Sequence, residues 1–420
     1  MRSAATLALV LGMLAAPAAD PTPPVYRTAP DARPVGTGAL LPGPGTYTDS
    51  IAEGETRTYR VRLDGSSNVF LSAVLAPAAG ADPGLAVDVV DGVSLSLRTA
   101  SGLACGPHTD VRFYGDTDRP VADYVSRRVE PGRLCQEPGE YLFVVEGVGR
   151  ERGEARRRTL ELGYVVEQAP RHGSGPGDAA AAPLAVAPTD WPTAPPAGVL
   201  GADMGRPVRG GTGFNDAAPL DGHGDGGGTW RDELRPGESR FYRIQVDWGQ
   251  QLFVRARFGN AAPPPQGSAL PDGLRLALYN PARGAVDERK ELYTGGPAAL
   301  LLATAPAAYA NRTQGGTEAV AAMRFAGTYY VQLTLDRRAP GPVPLALDVA
   351  VLAPSGGPSP SPRPTPPPSP SPSPSGPDPA LRIVGIAGVT TGTVLVAGLG
   401  AWPVVMSGRR RPRGRHAAGR

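Results

Sequence analysis

The stretch GETRTYRVRL at residues 54–63 returns later in the chain as GESRFYRIQV at residues 237–246. The similarity extends without a gap over residues 45–75 and 228–258, where eleven of 31 positions are identical. Agreement of this length inside one chain is the signature of an internal repeat. The sequence therefore predicts two copies of one structural unit.

Both copies alternate apolar and polar residues with a period of two. In the first copy Tyr59, Val61 and Leu63 alternate with arginines, and residues 242–246 repeat the pattern in the second. Such alternation predicts strands with one buried face, and turn-forming residues separate the runs. Because almost no stretch has helical periodicity, the predicted fold class is all-β, with two tandem antiparallel β-sandwich (jelly-roll-like) domains.

Three features of each copy resemble the bacterial pre-peptidase C-terminal domain. These are the Gly-Glu pair before a Y-R-V strand (Y-R-I in the second copy), the hairpin that follows, and a late G-x-Y-x-V strand at residues 326–335, which residues 138–147 match with Phe143 in the last place. The resemblance covers residues 45–166 and 228–351. It implies a small jelly-roll-like sandwich with a non-catalytic accessory role, sometimes assisted by calcium. The whole chain also resembles anchored actinobacterial surface proteins with tandem copies of such a domain.

The two ends of the chain carry targeting signals. Arg2, an apolar run and small residues near Ala16 predict a secretory signal peptide. The 24 residues 383–406 are uncharged, which is enough to cross a bilayer as a helix. Six arginines follow, and arginines beside a span stay on the cytoplasmic side. We expect a single-pass protein of the cell membrane, with extracellular N-terminal domains and a cytoplasmic C-terminal tail.

Composition indicates the source and the connecting segments. Lys290 is the only lysine among 42 basic residues, a bias typical of the GC-rich genes of actinobacteria. Proline-rich stretches cannot bury a core and favour extended polyproline II. The predicted organisation is a signal peptide (1–19), sandwich domain 1 (33–167), a Pro/Ala/Gly linker (168–205), sandwich domain 2 (206–352), a Pro/Ser-rich stalk (353–380), a transmembrane helix (381–406) and an Arg-rich tail (407–420).

The charge distribution argues against nucleic acid as a partner. The formal net charge is +3, but six arginines lie in the tail and two more, Arg2 and Arg382, in the signal peptide and beside the span. Without these eight, the exported part carries about −5. The predicted extracellular part therefore lacks the net positive charge that is typical of nucleic-acid-binding proteins.

The chain has two cysteines, Cys105 and Cys135, both in the predicted extracellular region. An even pair in an oxidising compartment predicts a disulfide. A metal site at this place would need further ligands, and only His108 is close in sequence.

A loop unique to the second copy, DGHGDGGGTWRD at 221–232, imitates a calcium loop. Asp221, Asp225 and Asp232 stand at its first, fifth and twelfth positions, where oxygen ligands suit a hard cation. His223 at the third position fits poorly, and Asp232 has an equivalent, Asp49, in a copy without the loop. The alternatives are a Ca²⁺ site and a glycine-rich insert with no metal.

Aromatic residues on a sandwich can bind carbohydrate. Trp248 lies in a predicted hairpin turn, where its ring would contact sugar or peptidoglycan, or else pack against the protein.

No H-E-x-x-H, G-x-S-x-G or C-x-x-C motif is present, and the histidines of the predicted extracellular part, His108, His172 and His223, lie in predicted loops or the linker. We therefore expect no catalytic residues and no obligatory cofactor. The predicted function is a non-catalytic surface protein that binds an unknown protein or cell-envelope component. The alternatives are a calcium-dependent or carbohydrate-binding module and, last, a secreted peptidase or its accessory.

Overall fold

The computed structural model describes most of the two predicted domains. The described residues are 26–76, 91–113, 119–130, 132–149, 157–167, 191–201, 205–223, 227–265, 268–312 and 317–353. The predicted signal peptide, transmembrane helix and tail lie outside them, as does the predicted stalk after its first residue. Within this described part, no helix has the length and apolar character needed to cross a membrane.

The described residues of each copy form ten strands. In the first copy these are β1 (Arg33–Pro34), β2 (Leu40–Leu41), β3 (Gly45–Ile51), β4 (Thr56–Leu63), β5 (Asn68–Leu75), β6 (Gly92–Thr99), β7 (Thr109–Arg112), β8 (Val121–Arg127), β9 (Gly139–Val148) and β10 (Arg158–Glu167). In the second they are β11 (Arg206–Pro207), β12 (Ala218–Leu220), β13 (Gly228–Leu234), β14 (Ser239–Val246), β15 (Gln251–Phe258), β16 (Leu270–Tyr279), β17 (Ala285–Tyr293), β18 (Ala298–Ala303), β19 (Gly327–Leu335) and β20 (Val343–Leu352). A 3-10 turn (Tyr309–Arg312) and a short helix α1 (Glu318–Ala322) precede β19.

The strands build four five-stranded sheets, two to a copy. The first copy has the orders β1-β3-β10-β5-β8, called sheet A, and β2-β4-β9-β6-β7, called sheet B. The second copy has β11-β13-β20-β15-β18, called sheet C, and β12-β14-β19-β16-β17, called sheet D. Sheet C repeats the strand order of sheet A and sheet D that of sheet B, so the chain contains two sandwich-like units with the same topology.

The sheets are mixed, whereas the sequence predicted purely antiparallel ones. β1 pairs with β3 and β2 with β4 in parallel, and β11 and β12 do the same in the second copy. All other named pairs in these sheets, such as β4 with β9, are antiparallel. The parallel strands have only two or three residues, too few to show any alternation in sequence.

The predicted alternation places the core of each sandwich. Tyr59, Val61 and Leu63 are buried between sheets A and B, while the arginines between them, Arg60 and Arg62, are exposed. Tyr242, Ile244 and Val246 occupy the same positions between sheets C and D. Burial of one face only is what the period of two predicts.

The two sandwiches pack against each other through one face of sheet A and one face of sheet D. Val74 and Ala122 of the first copy share an apolar cluster with residues of the second. The second copy contributes Phe214, Ala217, Phe241, Ala277 and Tyr279. Nearby, Phe70 of β5 packs with Phe325 of the second copy, with ring centroids 5.0 Å apart. As a result every residue of β5 is buried, on both faces of the strand.

Among the described residues three ion pairs cross this interface, Arg119–Glu288 at 3.5 Å with a half-buried carboxylate and two others in which both side chains are largely buried. Arg324 donates to both carboxylate oxygens of Glu167, at 2.7 and 3.0 Å, and both side chains are 2% exposed. Arg283 pairs with Glu161, which is fully buried and also accepts from Asn215 at 2.8 Å. A buried carboxylate is tolerated only when it is paired and hydrogen-bonded, and both carboxylates meet this condition.

Part of the predicted linker lies along the second sandwich. Trp191 packs against its core, and the carbonyl of Pro192 accepts from Gln251 at 2.6 Å. Farther on, the carbonyl of Leu200 accepts from Arg255 at 3.3 Å. Residues 168–190 and 202–204 of the predicted linker lie outside the described part.

Candidate functional site

The predicted disulfide is confirmed. Cys105 and Cys135 are bonded, with their Cα atoms 5.4 Å apart. The bond joins the loop between β6 and β7 to the loop between β8 and β9. It therefore ties together two loops at one end of the first sandwich, called here the disulfide end.

A cavity of about 220 Å³ opens beside this bond. Its apolar wall is formed by Leu97, Pro107, Val125 and Leu134, together with Cys105. Gly106, Thr109, Tyr124, Ser126 and the arginines 127, 128 and 133 complete the lining. A concave site with an apolar wall and a few polar groups is the usual form of a small-molecule site.

The three arginines of the cavity differ in the partners of their side chains. Arg127 is 1% exposed and donates to the carbonyls of Ser67, Cys135 and Gln136 at 3.0 to 3.1 Å, which fixes the loop after β8. Arg133 pairs with Glu130 at 3.2 Å. Arg128, half-buried, has no side-chain partner among the described residues.

Burial and the positive charge of Arg133 lower the pKa of Arg128. An arginine remains charged at neutral pH even so. The cavity thus holds a cation that is partly removed from water, lies near a second cation and is not neutralised by a direct contact. No motif in the sequence singles out Arg128. The signal was present as three arginines, at 127, 128 and 133, close to a predicted disulfide.

The residues of the predicted calcium loop lie in different settings. Asp221 is exposed, and one of its carboxylate oxygens accepts from the backbone N–H of His223 at 3.1 Å. Asp232 lies in β13, where its carboxylate accepts from the Tyr242 hydroxyl and the Gly210 N–H, each at 2.8 Å. Asp225 lies outside the described residues. No group of three metal-binding side chains occurs within the described ranges, and the calcium site stays a prediction.

Asp232 has a structural role that the first copy shares. Asp49 accepts from the Tyr59 hydroxyl at 2.8 Å, the same distance as between Asp232 and Tyr242. Burial raises the pKa of both tyrosines, and the neighbouring aspartates add to the shift. This tyrosine–aspartate pair satisfies a buried hydroxyl in each sandwich.

Trp248 is half-buried in the turn between β14 and β15. Its ring packs edge-on against Tyr309, with centroids 6.4 Å apart, and the next residue, Gly249, donates to the carbonyl of Ala307 at 2.7 Å. The turn is thus attached to the segment before β19. A contact between Trp248 and carbohydrate remains a prediction.

The described histidines are solvent-exposed. His108 lies 4.0 Å from Asp110, and His223 lies 3.3 Å from Asp221, with side chains 67% and 39% exposed. His172 of the predicted linker lies outside the described residues.

No family model matches the chain, and no curated protein matches it. Among solved structures, it is similar to the pre-peptidase C-terminal domain of collagenase from Bacillus anthracis, with 14% identity, a TM-score of 0.19, and 31% of this chain and 96% of that one covered. It is also similar to PliG, a periplasmic inhibitor of g-type lysozyme from Aeromonas hydrophila, with 14% identity, a TM-score of 0.19, and coverage of 32% and 96%.

A third similar structure is the CBM22-1-CBM22-2 tandem domain of Paenibacillus barcinonensis Xyn10C. It has 11% identity, a TM-score of 0.19, and 74% of this chain and 91% of that one covered. Similarity at this level assigns no family, role or ligand to this chain.

Proposed function

We propose that this chain is a non-catalytic, membrane-anchored surface protein whose paired sandwiches bind a protein or a cell-envelope component. The signal peptide and the span predicted from the sequence place the sandwiches outside the cell, and the stalk raises them above the bilayer.

The observation that supports this proposal best is the interface between sheets A and D. Two arginine–glutamate pairs and an apolar cluster are buried in it. Breaking such a pair is costly, because an uncompensated charge would be left in the interior. The loops of both sandwiches are therefore held at fixed relative positions, as suits a body that presents a binding surface.

The test is a retention experiment with the full-length chain, purified in detergent and immobilised through its C-terminal tail. We expect a specific protein or cell-wall fraction from the cells that make this chain to be retained. Heat-treated chain on the same support is the control. Hydrolysis of the bound material that is lost on changing a single Ser, His or Asp would contradict the non-catalytic proposal.

The calcium and carbohydrate alternatives give different outcomes in the same system. A rise in the thermal unfolding midpoint on adding Ca²⁺, lost in Asp221→Ala, would favour the calcium alternative. Retention on purified cell-wall polysaccharide that is lost in Trp248→Ala would favour the carbohydrate alternative.

A further inference from the structure

We propose that the cavity beside the Cys105–Cys135 bond binds a small ligand that carries a free carboxylate next to an apolar substituent, such as the carboxyl terminus of a peptide. This inference rests on the proposed function and names a ligand class for it. It depends on four properties of the cavity, namely its charge, its size, its wall and the way its loops are held.

The charge of the cavity favours an anion. Arginine is the only residue type in its lining that is charged at neutral pH, because burial raises the pKa of Tyr124 and keeps it neutral, and Arg128 is the arginine without a side-chain partner in the described part of the chain. Arg133 has Glu130 as a partner, while Arg127 is occupied by three backbone carbonyls. An incoming anion would therefore meet one available guanidinium, in a place where burial weakens solvent screening.

The geometry of a guanidinium favours a carboxylate among the anions. Its planar fork of N–H groups matches the two oxygens of a carboxylate, which gives two parallel charge-assisted hydrogen bonds. A phosphate or sulfate group is a larger acceptor that is usually held by several donors. Arg128 by itself offers one fork, which suits a single carboxylate.

The size and wall of the cavity define the rest of the ligand. A volume of about 220 Å³ lies below the usual range for drug-sized ligands and suits a terminal residue or two. Leu97, Val125 and Leu134 present apolar surface to the same space. A ligand with a carboxylate at one end and a small apolar side chain next to it would use both halves of the lining.

The loops around the cavity are fixed before any ligand arrives. The Gln136 side chain donates to the carbonyls of Arg128 and Leu134 at 3.0 and 2.9 Å and accepts from the N–H of Glu130 at 3.0 Å. The disulfide holds the same loop to the one after β6. Preorganisation of this kind lowers the entropic cost of binding.

In the experiment, N-acetyl-alanyl-alanine is titrated into the full-length chain in a non-ionic detergent. Calorimetry measures the heat of binding at each addition. A ligand with so few non-hydrogen atoms is expected to bind with a Kd on the order of 1 mM. Its C-terminal amide is the matched probe without the charge and should bind at least about tenfold more weakly. Inorganic phosphate at the same concentration should compete weakly.

The variant that carries the test is Arg128→Gln, which keeps hydrogen-bonding capacity and removes the charge. We expect its affinity for the carboxylate probe to fall at least about tenfold, with the thermal midpoint unchanged, because Arg128 has no side-chain partner to lose. Arg128→Lys should recover part of the affinity. Arg62→Gln, which changes an exposed arginine of β4 in the same sandwich, is the control and should bind like the parent.

Three results would overturn the inference. They are equal binding of the acid and the amide, unchanged affinity in Arg128→Gln, and no binding of the acid up to about 10 mM, ten times the expected Kd. Phosphate that competes as well as the acid would overturn the choice of a carboxylate. If the full-length chain retains a partner in the experiment above while the dipeptide fails, the proposed function stands and only this inference falls.

Discussion

The outer faces of β5 and β15 hold equivalent positions in the two copies, yet one is buried and the other meets solvent. In β5 this face carries Ser72 and Val74, which are 1% and 0% exposed. The gapless alignment places Arg255 and Arg257 at the same two positions of β15, where both are partly exposed. The same strand framework thus supports an internal interface in the first copy and a charged surface in the second.

The neighbouring strands show the same difference. Gly163 of β10 lies opposite Ser72, whereas Asp348 of β20 lies opposite Arg255. Asp348 is fully buried beneath the two arginines, at 2.8 and 2.9 Å from them. Small residues allow the close approach of sheet D, while Arg255 and Arg257 keep 32% and 40% of their side chains exposed. A few outward-facing side chains therefore decide which sheet face becomes an interface.

The largest effect is expected from moving the charged residue of the second copy into the first. In Val74→Arg a guanidinium would enter the apolar cluster around Phe241 and Tyr279 without a partner. Burial of an unpaired charge should cost about 5 kcal/mol of unfolding free energy, or undock the sandwiches. Chemical denaturation would measure the loss of unfolding free energy. Faster proteolysis between residues 168 and 205 would report undocking of the sandwiches. Val74→Ala is the size control, and equal effects of the two changes would contradict the comparison.

Removal of Arg324 should be the next most damaging change. Arg324→Ala leaves the buried Glu167 carboxylate without a charged partner, although the Asn68 amide still donates to it, so we expect a loss of about 3 to 5 kcal/mol in denaturant unfolding. The double variant Arg324→Met, Glu167→Leu should be clearly more stable than Arg324→Ala, because no charge then remains in the interface. If the double variant is as unstable as Arg324→Ala, Arg324 stabilises the protein in some way other than by neutralising Glu167.

The interface should also weaken with rising pH because of Asp123 in β8. Burial raises the pKa of Asp123 to about 6, although backbone N–H groups of Tyr124 and Ala285 oppose the shift. The pKa of Asp123 is higher in the folded state than in the unfolded state, so protonation of its carboxyl stabilises the fold. This stabilisation is complete below about pH 4, the pKa in the unfolded state. That contribution, at most about 3 kcal/mol, is lost as pH rises through about 6.

Unfolding free energies at pH 5 and pH 7 would measure this effect, with Asp123→Asn as the matched variant. The variant should show a smaller fall in stability between the two pH values. An identical fall in parent and variant would assign the pH dependence to other groups.

On the exposed face of sheet C, loss of the central carboxylate should have a moderate effect. Asp348→Ala leaves Arg255 and Arg257 without their shared partner and Thr229 without its acceptor. Because both arginines reach solvent, we expect a cost of about 2 kcal/mol, less than for Arg324→Ala. Thermal and denaturant unfolding would measure it, and a cost above that of Arg324→Ala would reverse the ranking of the two faces.

The smallest effect is expected from the reciprocal exchange, Arg257→Val. The site is on the surface, and Arg255 still pairs with Asp348, so the unfolding free energy should change by no more than about 0.5 kcal/mol. Denaturant unfolding of Arg257→Val and of Val74→Arg under the same conditions would compare the two reciprocal substitutions. A change of several kcal/mol in Arg257→Val would mean that the two faces are equally sensitive to charge.

The sequence by itself determined the duplicated unit, the strands with one buried face and the disulfide. These depend on local features, since an alternation of period two in Thr56–Leu63 and its repeat in Ser239–Val246 can be recognised without knowing what lies across the sheet. It could not determine the short parallel strands, because two or three residues are too few to show a period.

Only the tertiary structure decided which faces of the two sandwiches meet and what gathers at the disulfide end. Phe70 and Phe325, or Glu167 and Arg324, lie far apart in the chain, and their pairing depends on how whole sheets dock. Arg128 likewise became a candidate binding residue through its surroundings, since burial and the lack of a partner depend on neighbours that folding brings together. Contacts within one strand can be inferred from spacing along the chain, whereas contacts between sheets require the positions of all the strands.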